Sequence, residues 1–297
     1  LHTLRANYEQ LLPALQQYET EGGVKLSPKV LPTRWNRFHY VDAEGGTWRL
    51  VEFQQGSRTH SISPDPDYSY RAAQAVGAFQ LFLNRLPPEA FGETIKGFHA
   101  LSRRLEDFLA VLRAADPLRI DQAKSVVARA RSLMHMGPLL TQEIQQLPKR
   151  VVHGDAKLEN VLFVGEANRV IDLDTVMPGF TPFDFGDLVR TCCSPVAEDD
   201  PDIEGVELRL DHFRALAEGY LQAQRPEITP GEIKALVKGA IYIIYEQAVR
   251  FLSDYLAGDK YYPTSYDTHN LVRAKNQFKL LDEILRRQSD LQAIFGD

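Results

Sequence analysis

Twelve residues near the middle of the chain bring together side chains that phosphoryl transfer could use. They read Val151-Val152-His153-Gly154-Asp155-Ala156-Lys157-Leu158-Glu159-Asn160-Val161-Leu162. A histidine is followed two residues later by an aspartate and, five further on, by an asparagine, with apolar β-type runs on either side. A loop so placed would present Asp155 on a rigid support. Moving a phosphoryl group needs a carboxylate to orient the attacking hydroxyl and accept its proton, and a divalent cation, held by oxygen ligands, to neutralise the phosphates. Asp155 suits the first role and the Asn160 amide the second. Val170-Ile171-Asp172-Leu173-Asp174 then puts carboxylates at the end of another β run, and Mg2+ takes one or two carboxylates beside phosphate oxygens. Asp172, the first polar residue after that run, is the better ligand candidate. Asp174 falls on the same side of an extended chain and reads as a second ligand or as a neighbour that tunes the first. Taken singly, His-x-Asp is usually an ordinary turn and Asp-Leu-Asp a solvated strand end. Their succession within residues 153–172 favours a site.

A second constellation lies nearer the carboxy terminus. Glu246, Arg250 and Asp254 recur at i, i+4 and i+8 among Ile241, Ile244, Val249, Phe251 and Leu252, so the three charges share one helix face. A charged stripe on so apolar a helix either pairs internally as a surface ladder or lines a polar pocket, and spacing alone leaves both open. Lys157, inside the Asp155 loop, reads as a contact to the acceptor or the γ-phosphate, or as a solvated lysine.

These side chains need a scaffold. Leu4, Tyr8, Leu11, Leu12 and Leu15 predict an opening helix over 1–18, ended by Gly22-Gly23. Residues 37–41 and 47–51 flank Asp42-Ala43-Glu44-Gly45-Gly46 and predict a hairpin. Gln54 to Asp67 is polar, with Gly56, Pro64 and Pro66, and reads as a hinge or linker. Helices are predicted over 68–85, 101–112 and 120–147, a small β insertion over 150–152, 161–164 and 169–171, and helices again from Leu208. Thr229-Pro230-Gly231-Glu232 is a capping box with proline at the first helical position. It opens a long helix to about Leu256 that stops at Gly258, and a last helix covers 271–287. The order predicts an α+β protein with two lobes. Residues 1–53 form a partial amino-terminal lobe of one helix and a small antiparallel sheet. Residues 54–67 form the hinge, and 68–297 a mainly helical lobe with the catalytic loop and metal site.

With 44% hydrophobic and 25% charged residues among 297, the composition is that of a globular protein and argues against disorder. A formal charge of −6 argues against a nucleic-acid partner, which would need a basic surface. The two cysteines, Cys192 and Cys193, are adjacent and point to a reduced, cytoplasmic protein. No apolar run reaches membrane-spanning length, and the amphipathic first helix lacks the apolar core and cleavage site of a signal peptide.

On its motifs the chain resembles the aminoglycoside phosphotransferase and choline kinase superfamily, which has the protein-kinase-like bilobal fold. His153, Asp155 and Asn160 match that family's His-x-Asp-x4-Asn loop, and Asp172 matches its metal-binding aspartate after a hydrophobic pair. The resemblance implies ATP and Mg2+ as cofactors, Asp155 as catalytic base, Asn160 and Asp172 as metal ligands, and His153 as a brace of the loop. Asp184, in Pro182-Phe183-Asp184-Phe185-Gly186-Asp187, matches an aspartate that holds the loop from below. Its alternative reading is a helix N-cap, and both can hold. Val51-Glu52-Phe53-Gln54 resembles the hinge whose backbone groups hold adenine, which implies Glu52 and Phe53 as nucleotide contacts; a plain strand exit is the alternative.

A narrower resemblance, to the N-acetylhexosamine 1-kinase group, rests on residues 171–179, 184–187 and 245–256 and on His269-Asn270-Leu271, and runs from about Trp48 to the last helix. It implies a sugar phosphorylated at its anomeric hydroxyl, and it turns the stripe of Glu246 and Arg250 toward a substrate pocket. The alternatives are the same fold acting on an aminoglycoside, choline or homoserine, or a non-catalytic pseudokinase. The family's phosphate-covering loop and the basic residue on its next strand would precede the first helix. Because Asp155, Asn160 and Asp172 are all present, the expectation is that this segment lies upstream of Leu1.

Overall fold

The computed structural model describes residues 2–296. The first helix, α1 (His2–Thr20), buries Tyr8, Leu11, Leu12 and Leu15 on one face, and Gly22 reverses the chain after it at φ +93°. Four two-residue strands follow: β1 (Val30–Leu31), β2 (Tyr40–Val41), β3 (Thr47–Trp48) and β4 (Leu50–Val51). β2 and β3 pair antiparallel, with Tyr40 opposite Trp48. Their turn is tied by the Asp42 carboxylate, which accepts from the Glu44 and Gly46 N–H groups and the Trp48 indole. The expected hairpin is therefore present, but its second strand is divided, because β4 leaves β2 and pairs with β1.

Asp65 caps α2 (Pro66–Leu83) by accepting from the Tyr68 N–H, so this helix starts slightly earlier than expected. After α3 (Leu101–Ala114), the single helical stretch expected over 120–147 is broken into α4 (Pro117–Gln122), α5 (Lys124–Ser132) and α6 (Met136–Ile144). At the α5–α6 break the Ser132 hydroxyl bonds the Arg129 carbonyl and the His135 ring bonds the Ser132 carbonyl. Side chains there satisfy backbone groups that a continuous helix would have used. Next come β5 (Arg150–Val152), β6 (Val161–Val164), β7 (Ala167–Val170) and β8 (Met177–Gly179), then α7 (Thr181–Cys192), α8 (Leu210–Gln224), α9 (Pro230–Leu256), α10 (His269–Arg286) and α11 (Gln288–Ala293). β6 and β7 form a hairpin; β5 pairs with β8, a strand the sequence pattern did not suggest.

One apolar core runs through α1, α2 and α7 to α10, so α1 packs into the helical region. Residues 54–67 are also tied down, because Arg58 and Phe163 exchange backbone hydrogen bonds of 3.0 and 2.9 Å. The capping box at α9 is realised. Glu232 also takes Arg150 and Thr181, which joins the start of α9 to β5 and α7. α7 and α9 touch backbone to backbone: a Cβ on Gly239 would lie 2.2 Å from the Pro182 carbonyl, and one on Gly186 2.7 Å from the Gly239 carbonyl. Only glycine allows this approach, and it brings the polar face of α7 beside the charged stripe of α9. Among the described residues no helix is long and apolar enough to cross a membrane, and Cys192 and Cys193 are free and buried.

Candidate active site

At the end of β5 the chain turns through Gly154 at φ +81°, where a Cβ would sit 2.7 Å from the Thr175 carbonyl; any side chain would collide there. The N–H groups of His153 and Gly154 each donate over 2.8 Å to one oxygen of Asp184. Asp184 lies in the first turn of α7, whose cap position is Phe180. The N-cap reading is thereby corrected, and its oxygens serve the loop instead. Burial pushes the Asp184 carboxyl up in pKa, against the opposing influence of His153 and the two amides. His153 is fully buried, packs edge-on against Phe79, and its Nε2 lies 2.9 Å from the Ile171 carbonyl. It thus spans from the loop to the residue before Asp172. Asn160 closes the arrangement: its side-chain nitrogen donates to the Asp155 carbonyl at 2.7 Å and to Asp155 Oδ2 at 3.1 Å, and its backbone carbonyl accepts from the Ile171 N–H at 2.9 Å.

Asp155 is half-buried. Burial alone would raise its pKa, but Lys157, Arg190 and His153 more than offset this and hold it below the ordinary carboxylate range. The Lys157 ammonium stands 3.2 Å from Asp155 Oδ2. Asp155 is therefore an ionised hydrogen-bond acceptor at neutral pH. Asp172 is exposed, adopts left-handed backbone angles of φ 60° and ψ 61°, and among the described residues makes no side-chain hydrogen bond. Aspartate tolerates that region better than most residues, and Asn36 and Asp259 adopt it too.

The donor set fits a hard cation. The Asn160 amide nitrogen is committed to Asp155, which leaves its oxygen free, and the Asp172 carboxylate is unengaged. Among the described residues no three His, Cys, Asp or Glu side chains converge on a metal-sized space, so an ion here would take its remaining ligands from phosphates and water. Asp174 is not available as a second ligand. Both its oxygens are bound by Arg49, and one of them also by the Tyr8 hydroxyl at 2.6 Å. It anchors α1 and the β3–β4 segment to the Asp172 turn, which corrects the second-ligand reading.

Beside Asp155 lies a cavity of about 470 Å3 whose wall includes Lys157, Phe98, Glu246, Arg250 and Tyr262. The Arg250 guanidinium lies 5.1 Å from the Phe98 ring centre, 5.5 Å from Tyr262 and 5.9 Å from Tyr261. Its Nη1 donates to Gln247 Oε1 at 3.0 Å. The stripe on α9 is thus no ladder: Glu246 and Arg250 face the cavity, while Asp254 turns elsewhere. The Asp254 carboxylate accepts from the N–H groups of Lys260, Tyr261 and Tyr262, each at 2.9 Å, and from Asn270 at 3.0 Å. It holds the segment that delivers Tyr261 and Tyr262 to the cavity.

Sequence reasoning missed His99, whose ring bonds Glu246 and the Gly154 carbonyl, and the aromatic wall of Phe98, Tyr261 and Tyr262. These residues lie in loops without periodicity, so no pattern marked them. At the strand exit, the Glu52 carboxylate pairs with Lys25 and its N–H donates to the Lys29 carbonyl. That N–H is therefore not free for a nucleotide base. Phe53 stands 85% exposed.

The model of the phosphotransferase enzyme family matches residues 14–231. Among solved structures, a choline/ethanolamine kinase family protein from Mesorhizobium loti superposes with a TM-score of 0.55 at 18% identity, over 97% of this chain and 84% of that one. An aminoglycoside phosphotransferase from Alicyclobacillus acidocaldarius gives 0.61 at 14% identity, over 96% and 84%. An amicoumacin kinase in complex with AMP-PNP, Ca2+ and Ami gives 0.56 at 13% identity, over 91% and 77%. At these identities the likeness is one of fold: small paired strands beside a mainly helical body, the protein-kinase-like arrangement.

Proposed function

The chain belongs to the phosphotransferase enzyme family, and on that premise we propose that it transfers the γ-phosphate of ATP to a hydroxyl of an uncharged sugar, the anomeric hydroxyl of an N-acetylhexosamine. The observation that carries the choice of acceptor is the position of Arg250. A choline-like or polyamine acceptor is held by the open faces of aromatic rings. Here the rings of Phe98, Tyr261 and Tyr262 already surround a guanidinium. A cationic acceptor would meet the like charge of Arg250 at these rings. A neutral polyol finds what it needs in the rigid donor fork of Arg250 and the acceptor oxygens of Asp155.

In this reading Asp155 accepts a hydrogen bond from the attacking hydroxyl and aims it, with Asn160 fixing the carboxylate. Because the transition state of phosphoryl transfer is loose, the proton leaves the hydroxyl late, and alignment matters more than basicity. A carboxylate kept acidic by Lys157, Arg190 and His153 suits that task. Lys157, beside Asp155 in the cavity wall, supplies positive charge where acceptor and phosphoryl group meet. Mg2+, held by Asn160 and Asp172 when bound, would neutralise charge on the phosphates. Release of ADP by the full-length protein with Mg-ATP tests the proposal, with N-acetylglucosamine, N-acetylgalactosamine, choline or kanamycin as acceptor. Turnover is expected with an N-acetylhexosamine and absent with the two cationic compounds; turnover with choline or kanamycin alone would refute the choice of acceptor.

A further inference from the structure

His99 lies between two acceptors. Its Nε2 is 2.8 Å from the Gly154 carbonyl and its Nδ1 is 2.8 Å from Glu246 Oε2. A carbonyl oxygen can only accept, and so can an ionised carboxylate. A neutral imidazole carries a single N–H and satisfies one of these contacts; an imidazolium satisfies both. The carbonyl that His99 holds belongs to the peptide joining Gly154 to Asp155, while the Gly154 N–H is held by Asp184. The turn that leads into Asp155 is therefore gripped from two sides by charged groups, one on α7 and one reaching from α9 through His99. Glu246 lies one helical turn before Arg250, in the wall of the same cavity.

We propose that His99 is a positioning residue that works as an imidazolium: it ties the Glu246 carboxylate of the acceptor cavity to the peptide that carries Asp155, and transfer depends on its second proton. The kinetic part rests on the function proposed above; the charge state does not.

The surroundings support the charged form. Burial works against it, but the Glu246 charge, the Asp187 charge and the Gly154 carbonyl more than offset burial and hold the His99 pKa above the ordinary histidine value. The charged groups facing this cluster are Glu246 from α9, Asp187 from α7, Arg104 from α3 and, on the loop, Asp155 and Lys157. Arg104 Nε lies 3.8 Å from the other Glu246 oxygen. Against the ring itself pack Phe98 and Phe183. The Tyr242 hydroxyl donates to the His99 carbonyl, and with its pKa pushed up to about 12 by burial it stays neutral. Because the pKa in the folded state is raised, the clamp and its contribution to stability are complete below the ordinary histidine value. Both are lost as the pH climbs through the folded-state value.

Nitrogen-detected NMR of the histidine rings in the full-length protein tests the charge state without any acceptor. Both His99 nitrogens are expected to carry protons at neutral pH, with a midpoint above the ordinary value of about 6.5, and Glu246→Gln is expected to lower that midpoint by about one unit or more. A single N–H on His99 at neutral pH overturns the proposal. In kinetics with Mg-ATP and N-acetylgalactosamine or N-acetylglucosamine, the wild type is expected to lose kcat on the alkaline side. His99→Gln, which keeps one donor and no charge, is expected to lose on the order of 10²-fold in kcat, to keep its KM for ATP, and to lack that alkaline limb. A variant with wild-type kcat and pH profile overturns the positioning role. If His99→Gln does not fold, the titrations of wild type and Glu246→Gln still decide. If neither sugar is phosphorylated while the ring titrates as expected, the acceptor is wrong and the charge state stands.

Discussion

From His153 to Asn160 most polar groups of the loop are bound to partners on α7, on Ile171 just after β7, on His99 and within the loop itself. From Thr47 to Phe53, by contrast, the large side chains stand in the open: Trp48 is 63% exposed, Leu50 65% and Phe53 85%. The loop was expected to meet the reacting end of the nucleotide and Glu52 and Phe53 its base, yet the two regions are held in different ways. Aligning a hydroxyl with a phosphorus atom tolerates little error, and misplacement by about 1 Å can cost on the order of 10²-fold in rate. Contact with a flat base asks only that an apolar face and backbone groups be accessible. Buried hydrogen bonds secure the first kind of geometry, and an exposed ring suffices for the second.

Substitutions in and around the two regions should set them apart. The largest effect is expected for Asp155→Asn, which keeps the shape of the loop and removes the charge that aims the hydroxyl. Its kcat should fall about 10³-fold, while the thermal stabilisation given by Mg-ATP remains; retained turnover would remove Asp155 from the chemistry. Asp184→Ala should come next, on stability. It leaves the His153 and Gly154 N–H groups buried without a partner, a loss of about 3 kcal/mol in urea unfolding. Arg250→Met should raise the KM for the acceptor about tenfold, as expected for a lost charged hydrogen bond, with the KM for ATP unchanged. If KM for ATP moves instead, the cavity faces the nucleotide. The smallest effect on folding is expected for Phe53→Ser, within about 0.5 kcal/mol of the wild type. A loss as large as that of Asp184→Ala would end the distinction between the two regions.

The parts of the site legible in the sequence are those whose partners are near in the chain. The loop from His153 to Asn160 is one hairpin approach with its own internal hydrogen bonds, and the capping box at Thr229 and Glu232 closes on itself within four residues. What stayed hidden depends on partners brought together only by packing. Asp174 reads as a metal ligand until α1 and the β3–β4 segment bring Tyr8 and Arg49 against it. Asp254 shares a helix face with Glu246 and Arg250, but the return of residues 260–262 to the end of α9 claims its oxygens. His99 sits in a loop and acquires meaning only from Gly154 and Glu246, residues far from it in sequence. β8 pairs with β5 across the whole catalytic segment, so its short run of Met177-Pro178-Gly179 carries no strand pattern of its own. For Asp174 and Asp254 local spacing located the chemistry and long-range packing assigned the roles; for His99 and β8 packing supplied both.

In the reaction proposed, an uncharged sugar reaches Asp155 through its anomeric hydroxyl. Phosphorus NMR of the product formed from Mg-ATP and an N-acetylhexosamine tests this most directly. The expected result is a phosphate monoester coupled to the anomeric proton. Phosphate on any other hydroxyl, or ATP consumed only when a cationic alcohol is present, would contradict it.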